Sequence, residues 1–150
     1  MINLTKAPID PPKLLGAILD RSAGAGAVVS FCGVARPLAN GTQVTGLVLH
    51  VHPTLTCSSI EEIVADARGR FAITDASVVH RFGTISPGET VVFVAAAAAH
   101  RRAAFGAADY MMDRLKSEAV FWKQELGAGG SRWIEPSEAD RFDLARWSVT

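Results

Sequence analysis

The longest apolar stretch of the chain, VVFVAAAAA from Val91 to Ala99, has no polar residue in it. Water-facing strands alternate, so an unbroken run of this kind reads as a strand buried in a core. It is about half the roughly 18 residues needed to cross a bilayer, so it is no membrane span. At its end the sequence changes at once to His100-Arg101-Arg102-Ala-Ala-Phe. A buried strand therefore delivers three basic residues to a helix start, and the rest of the fold has to be arranged around that pair of elements.

The remaining elements follow from periodicity and turn chemistry. Asp10 is a good N-cap and Pro11-Pro12 suits a first turn, so a helix is expected from there, with Leu14, Leu15, Ile18 and Leu19 as its apolar stripe. Gly24 and Gly26 end that segment, and Ala27–Ala35 is the first core strand, with Val28, Val29 and Phe31. PLANGTQ is a loop with an Asn-Gly turn. Val44–His52 alternates, with Leu47, Leu49 and Val51 on one face and Val48, His50 and His52 on the other. A second helix is expected to open at Ser58, which has capping-box spacing to Glu61, and to bury Ile60, Ile63, Val64 and Ala67. Strands over Asp75–Ile85 and Thr90–Ala98 are joined by Ser-Pro-Gly-Glu, where Pro87-Gly88 suits a type II turn. A third helix runs from about His100 to Ser117 on Ala104, Ala108, Met111, Met112 and Leu115. A hairpin, Val120–Glu125 with Ser131–Glu135, closes the order. Hairpins outnumber possible parallel crossovers, so the fold class is α+β with a mostly antiparallel sheet and three main helices, in one domain over residues 1–150.

Fifteen basic and fifteen acidic residues leave no formal net charge. A general nucleic-acid binder needs an excess of Lys and Arg, so that class is set aside, while a local anion pocket stays open. The N-terminus MINLTKAPIDPPK lacks the apolar stretch of a signal peptide, which makes the cytoplasm the default location. Cys32 and Cys57 have no CxxC spacing and are expected to be buried or partly buried free thiols.

Chemistry can sit in four places. Free N–H groups at a helix start favour anions, yet His100, Arg101 and Arg102 put cations there; this local conflict is resolved if an anion binds, the alternative being that Arg101 and Arg102 are solvated surface residues. Lys116 lies near the end of the third helix, where a cation suits the dipole, and Lys123 alternates with Phe121 and Glu125 on one strand face. Apolar surroundings from Phe121 and Trp122 would lower a lysine pKa and make it a nucleophile or proton carrier; the alternative is two ordinary surface lysines. Arg36, just past a buried strand, can hold phosphate or carboxylate in bidentate fashion. His50 and His52 form a His-x-His pair that could hold a metal, but no nearby acidic or cysteine ligand completes a set. His80 is expected to be a strand residue packed at one end of the sheet.

GAVVSFCGVAR, VVHRFGTISPGETVVFV, AAHRRAAF, MMDRLKSEAVFWKQE and SRWIE occur in that order. Together they make the chain resemble the molybdopterin synthase large-subunit family over about Gly24 to Trp147. The resemblance implies an α/β hammerhead fold and a homodimer, each chain binding one small ubiquitin-like subunit in a heterotetramer. It implies that the small subunit's C-terminal Gly-Gly thiocarboxylate inserts into a pocket and passes sulfur to cyclic pyranopterin monophosphate, forming the molybdopterin dithiolene without a metal or redox cofactor. By motif match it makes Lys116 and Lys123 the active-site lysines. Arg36, His100, Arg101, Phe31, Met112 and Glu125 match its pocket positions. The substrate phosphate suits Arg36, His100 and Arg101, and the lysines could manage protons and a developing oxyanion.

The sequence departs from the family pattern in LHVHPTL. There His50 and His52 stand where an acidic and an aromatic residue are usual, and Leu55 stands at a methionine position. Ser137 replaces a further basic residue after SRWIE. Two other readings stay open: a non-catalytic paralogue that binds the small partner or a pterin, and a metal-dependent enzyme built on His50 and His52.

Overall fold

The computed structural model describes residues 1–148; Val149 and Thr150, part of the one-domain expectation, lie outside the described residues. From the N-terminus the chain forms β1 (Ile2–Thr5), α1 (Pro11–Arg21), β2 (Ala27–Val34), β3 (Leu38–Ala39), β4 (Thr42–Val51) and α2 (Leu55–Arg70). It continues with β5 (Ile73–Arg81), β6 (Gly83–Ile85), β7 (Thr90–Ala98), α3 (Arg101–Ser117), β8 (Phe121–Gly127), β9 (Gly130–Ile134) and α4 (Glu138–Ala145), ending in a 3-10 turn at Arg146–Ser148. One sheet has the order β1-β5-β7-β2; the other has the order β3-β4-β8-β9, with β6 also paired to β4. The α+β class with mostly antiparallel pairing is as expected, and β1 with β5 is the parallel pair among the described strands.

The apolar run becomes β7, inside the first sheet between β5 and β2. Its side chains go alternately to two cores. Phe93, Ala95 and Ala97 pack with Ile18 and Val79 on the α1 side. Val92, Val94 and Ala96 pack with Ile60, Ile63 and Met111 on the α2 and α3 side. Both faces are covered, which is why the run has no polar alternation. The alanines fit the narrow layers beneath the helices. A third, smaller cluster of Ala35, Leu49, Ile85 and Val91 joins the two sheets, with Phe82 and Phe121 at its rim.

Several turns follow their residue chemistry. Asp10 caps α1 by accepting from the Lys13 N–H at 3.1 Å. Asn40 and Gly41 both have positive φ, 50° and 77°, as a two-residue hairpin between β3 and β4 requires. Gly88 has φ 88°, and Glu89 N–H donates to the Ser86 carbonyl at 3.1 Å, closing the expected turn before β7.

Other expectations are corrected. α2 opens at Leu55, one turn before Ser58, and the Ser58 N–H already donates within the helix to Thr54, so Ser58 and Glu61 form no capping box. The 75–85 strand is broken after Arg81: Gly83, at φ 82°, redirects the chain, and β6 leaves β7's sheet to pair with β4. Leu19 is outside the α1 stripe and exposed, Phe31 on the edge strand β2 is exposed, and Cys32 beside it is exposed rather than buried. β1 and α4 were not expected. α4 adds a fourth, short helix to the three main ones.

Candidate active site

Lys116 at the end of α3 and Lys123 early in β8 lie close enough for the charge of one to bear on the other. Lys116 sits in the last turn of α3, where a cation complements the free carbonyls. Its Nζ donates to Asp140 Oδ1 at 2.6 Å. Asp140 is the third residue of α4, and its other oxygen accepts from the Ser137 N–H at 2.9 Å and the Ser137 hydroxyl at 2.7 Å. Burial alone would raise the Asp140 pKa, but hydrogen bonds from Lys116 and Ser137 outweigh it and hold the carboxyl at about 2.

Lys123 lies in β8 between Leu49 of β4 and Ile134 of β9 in the strand register. Unlike Lys116 it is largely withdrawn from water. Burial lowers its pKa below the usual lysine range and the charge of Lys116 lowers it further, against the opposing pull of Asp140. An ammonium in this position gives up its proton more readily, leaving an amine able to attack a carbonyl or carry a proton. His80 faces the same region from β5. Its ring stacks on Phe121 with centroids 4.1 Å apart. Its Nδ1 lies 2.8 Å from the Arg81 carbonyl, to which it must donate. Burial drives the His80 pKa down to about 4, helped by the Lys123 charge and resisted by the Arg81 bond, so the ring is neutral near pH 7. It packs at one end of the sheet, as expected from sequence.

Met112 lies one turn before Lys116 and is half-buried against the main core. Arg36 is exposed just past β2. The adjacent Ala35 is buried with Leu49, the register partner of Lys123, which puts Arg36 at the lysine end of the molecule. Glu125 shares the Lys123 strand, but its carboxylate is held by Arg132 of β9 at 2.9 Å. Phe31 lies midway along β2, paired with Val94.

His100 and Arg101 are not brought to the lysines. They sit at the start of α3, and at 1.5 Å per residue Arg101 and Lys116 are about 22 Å apart along the axis. His100 takes the N-cap position without a side-chain bond to the helix, and the first turn has no acidic residue. With Arg102, Gly26 and Ala99 they line an open cleft of about 460 Å³. Gly26 is needed there, because a Cβ would run into the Ala99 carbonyl oxygen. The cleft therefore combines free helix N–H groups, cations and a narrow wall, which suits an anionic group.

The metal reading gains nothing. His50 Nε2 lies 3.0 Å from Gln124 Oε1, and His52 Nδ1 accepts from the Leu55 N–H at 3.1 Å. Among the described residues no group of three or more His, Cys, Asp or Glu side chains is placed to hold a metal ion. The residue that sequence reasoning missed is Asp140. Its signal was available in the Ser137-x-x-Asp140 spacing, a capping box formed here by both reciprocal bonds.

An α+β chain with a desolvated lysine beside a second, carboxylate-held lysine, and a basic cleft elsewhere, has the makings of a group-transfer enzyme acting on an anionic substrate. The comparisons are more particular. The family model described as MoaE protein matches residues 4–118. The molybdopterin synthase catalytic subunit of Caulobacter vibrioides is 48% identical over 147 residues, covering 98% of this chain and 97% of that protein. That of Pseudomonas aeruginosa is 40% identical, covering 97% of each. The solved molybdopterin biosynthesis MoaE protein of Burkholderia ambifaria superposes with a TM-score of 0.85 at 35% identity, covering 100% of this chain and 99% of that one. The chain belongs to the MoaE family, that of the molybdopterin synthase catalytic subunits.

Proposed function

We propose that this chain, as one domain, is the sulfur-transferring subunit of a molybdopterin synthase, with Lys123 and Lys116 at its reaction centre. The partner is a small ubiquitin-like subunit whose C-terminal Gly-Gly thiocarboxylate enters beside the lysines. Its sulfur forms a C–S bond to a side-chain carbon of cyclic pyranopterin monophosphate as the C–O bond at that carbon breaks, and water takes the sulfur's place on the acyl carbon, releasing the tail as a carboxylate; a second thiocarboxylated tail repeats the exchange at the adjacent carbon, so the two sulfurs of the dithiolene come from two tails. The acyl carbon passes through an oxyanion in that exchange, and a lysine ammonium stabilises such a charge best where water is excluded. The observation that carries this reading is the pairing of a half-buried, pKa-lowered Lys123 with Lys116 at one site. Two lysines held in different environments divide the work: one accepts or donates a proton while the other stays charged.

Arg36 supports the lysine end by binding the substrate phosphate, with Phe31, Met112 and Glu125 around the pocket. His100 and Arg101 serve the same chemistry from a second copy of the chain in a homodimer, because one helix cannot present both of its ends to one small molecule. The assembly with two small subunits is then a heterotetramer. The step uses no metal or redox cofactor. Among the described residues no helix is long and apolar enough to cross a membrane, and the cytoplasm is the proposed place of action.

The test is a single-turnover assay with thiocarboxylated partner and pterin substrate. Lys123→Ala is expected to abolish dithiolene formation in a folded protein, and Lys116→Ala to impair it severely. Wild-type rates in Lys123→Ala would overturn the assignment.

A further inference from the structure

We propose that Asp140 is a positioning residue of the lysine pair: the carboxylate that caps α4 also fixes the Lys116 ammonium and sets the charge seen by Lys123. The inference rests on the sulfur-transfer reading for its effect on rate, though not for its geometry.

A capping box needs one carboxylate oxygen. Here Oδ2 alone takes both bonds from Ser137, and Oδ1 is left to face Lys116 at 2.6 Å. The Asp140 side chain is 17% exposed, partly shielded from water at the rim of the site. α4 packs on α3 but has no fully buried residue, so its position also depends on the groups that flank it. It is held from outside. Arg146, just after α4, pairs with Asp109 at 2.8 Å and Asp113 at 2.7 Å on α3. The Trp147 indole donates to Asp113 at 2.6 Å, and its ring meets Phe71 and Tyr110 edge-on. The strand β9 fixes the other side of the segment. Anchored at both ends, the segment delivers one carboxylate to one lysine.

Among the described residues, two charged groups act on Lys123. Lys116 faces it from α3 and Asp140 from α4; His80 from β5 is neutral, and Glu125 on its own strand is taken by Arg132. Lys116 favours the loss of the Lys123 proton and Asp140 opposes it. Removing the Asp140 charge leaves Lys116 unopposed, so Lys123 must titrate at lower pH. It also loosens the orientation of the Lys116 ammonium, which is 54% exposed, while its charge stays at the end of α3.

Asp140→Asn keeps the shape and can still accept from Ser137, while Ser137→Ala weakens the cap and keeps the charge. Since α4 contributes no buried residue, neither change threatens the fold, and circular dichroism checks this. The Lys123 amine is titrated by NMR in each variant, its signal assigned by Lys123→Arg, and transfer is followed with thiocarboxylated partner. Asp140→Asn is expected to move the Lys123 midpoint to lower pH and to slow transfer by about 10- to 100-fold, as loss of positioning does. Asp140→Glu should recover most of the rate, and Ser137→Ala should leave the midpoint near that of wild type. An unmoved midpoint in Asp140→Asn, or an equal shift in Ser137→Ala, overturns the proposal. Because the titration involves no sulfur transfer, failure of the broader reading would show separately, as activity retained in Lys123→Ala.

Discussion

At the residue scale, the site works through contrast between neighbours of the same or similar type. Lys116 is paired and open to water; Lys123 is half-buried. His80, which is buried, gives a prediction independent of catalysis. Its pKa is about 4 in the folded protein against 6.5 for the free side chain, so between those values the unfolded chain binds the extra proton and the folded one does not. Stability must therefore fall as pH drops from 6.5 to 4, by on the order of 3 kcal/mol in all. The depressed carboxylates Asp75 and Asp140 add their losses below about pH 4, and Glu89 below about pH 4.5, at the acid edge of this window. Thermal melts from pH 7 to 4 should show the decline, and His80→Phe, which keeps a ring on Phe121 but has no proton to bind, should flatten it. An equally steep decline in His80→Phe would assign the effect elsewhere. The two lysines were legible as candidates because their motif neighbours are distinctive. The Asp140 contact was not, since a side-chain bond across 24 positions leaves no periodic trace.

At the element scale, legibility tracked burial. β7 was evident from its run alone, because two covered faces demand apolar residues at every position. The stripes of α2 and α3 were equally plain: Ile60, Ile63, Val64, Ala67, Ala104, Ala108, Met111 and Leu115 are all buried. β1 has four residues on a sheet edge, too few for alternation to show, and it is placed by pairing Ile2–Thr5 alongside Val78–Arg81. α4 was missed because none of its residues is fully buried, so it carries no strong apolar stripe. The start of α2 was misplaced because Thr54 precedes it without a side-chain cap bond, so cap chemistry pointed to the wrong serine. The weight carried by β7 can be measured. Phe93 is fully buried in its middle, packed towards α1. Phe93→Ala should cost about 3–5 kcal/mol, since the alanines beside it cannot extend to fill the space. Denaturant melts check this; a loss under about 1 kcal/mol would mean that α1 collapses onto the sheet and closes the gap.

At the scale of the whole molecule, the two basic regions stand at opposite ends of α3, and this separation argues for a site shared between chains. A two-fold dimer that sets the His100–Arg101 end of one chain against the Lys116–Lys123 end of the other makes two composite sites at once. If each site needs Lys123 from one chain and Arg101 from the other, Lys123→Ala and Arg101→Ala are each inactive as pure dimers. In a mixed dimer one site carries both defects and the other carries none. Random exchange between equal amounts makes half the dimers mixed, and each has one good site of two, so about a quarter of wild-type activity should return. A site contained in a single chain predicts no return at all, because every chain in the mixture still carries one lesion. Differently tagged chains establish that exchange has occurred. With exchange shown, recovery near a quarter supports the shared site, while a mixture that stays inactive, or an active wild-type monomer, rules it out.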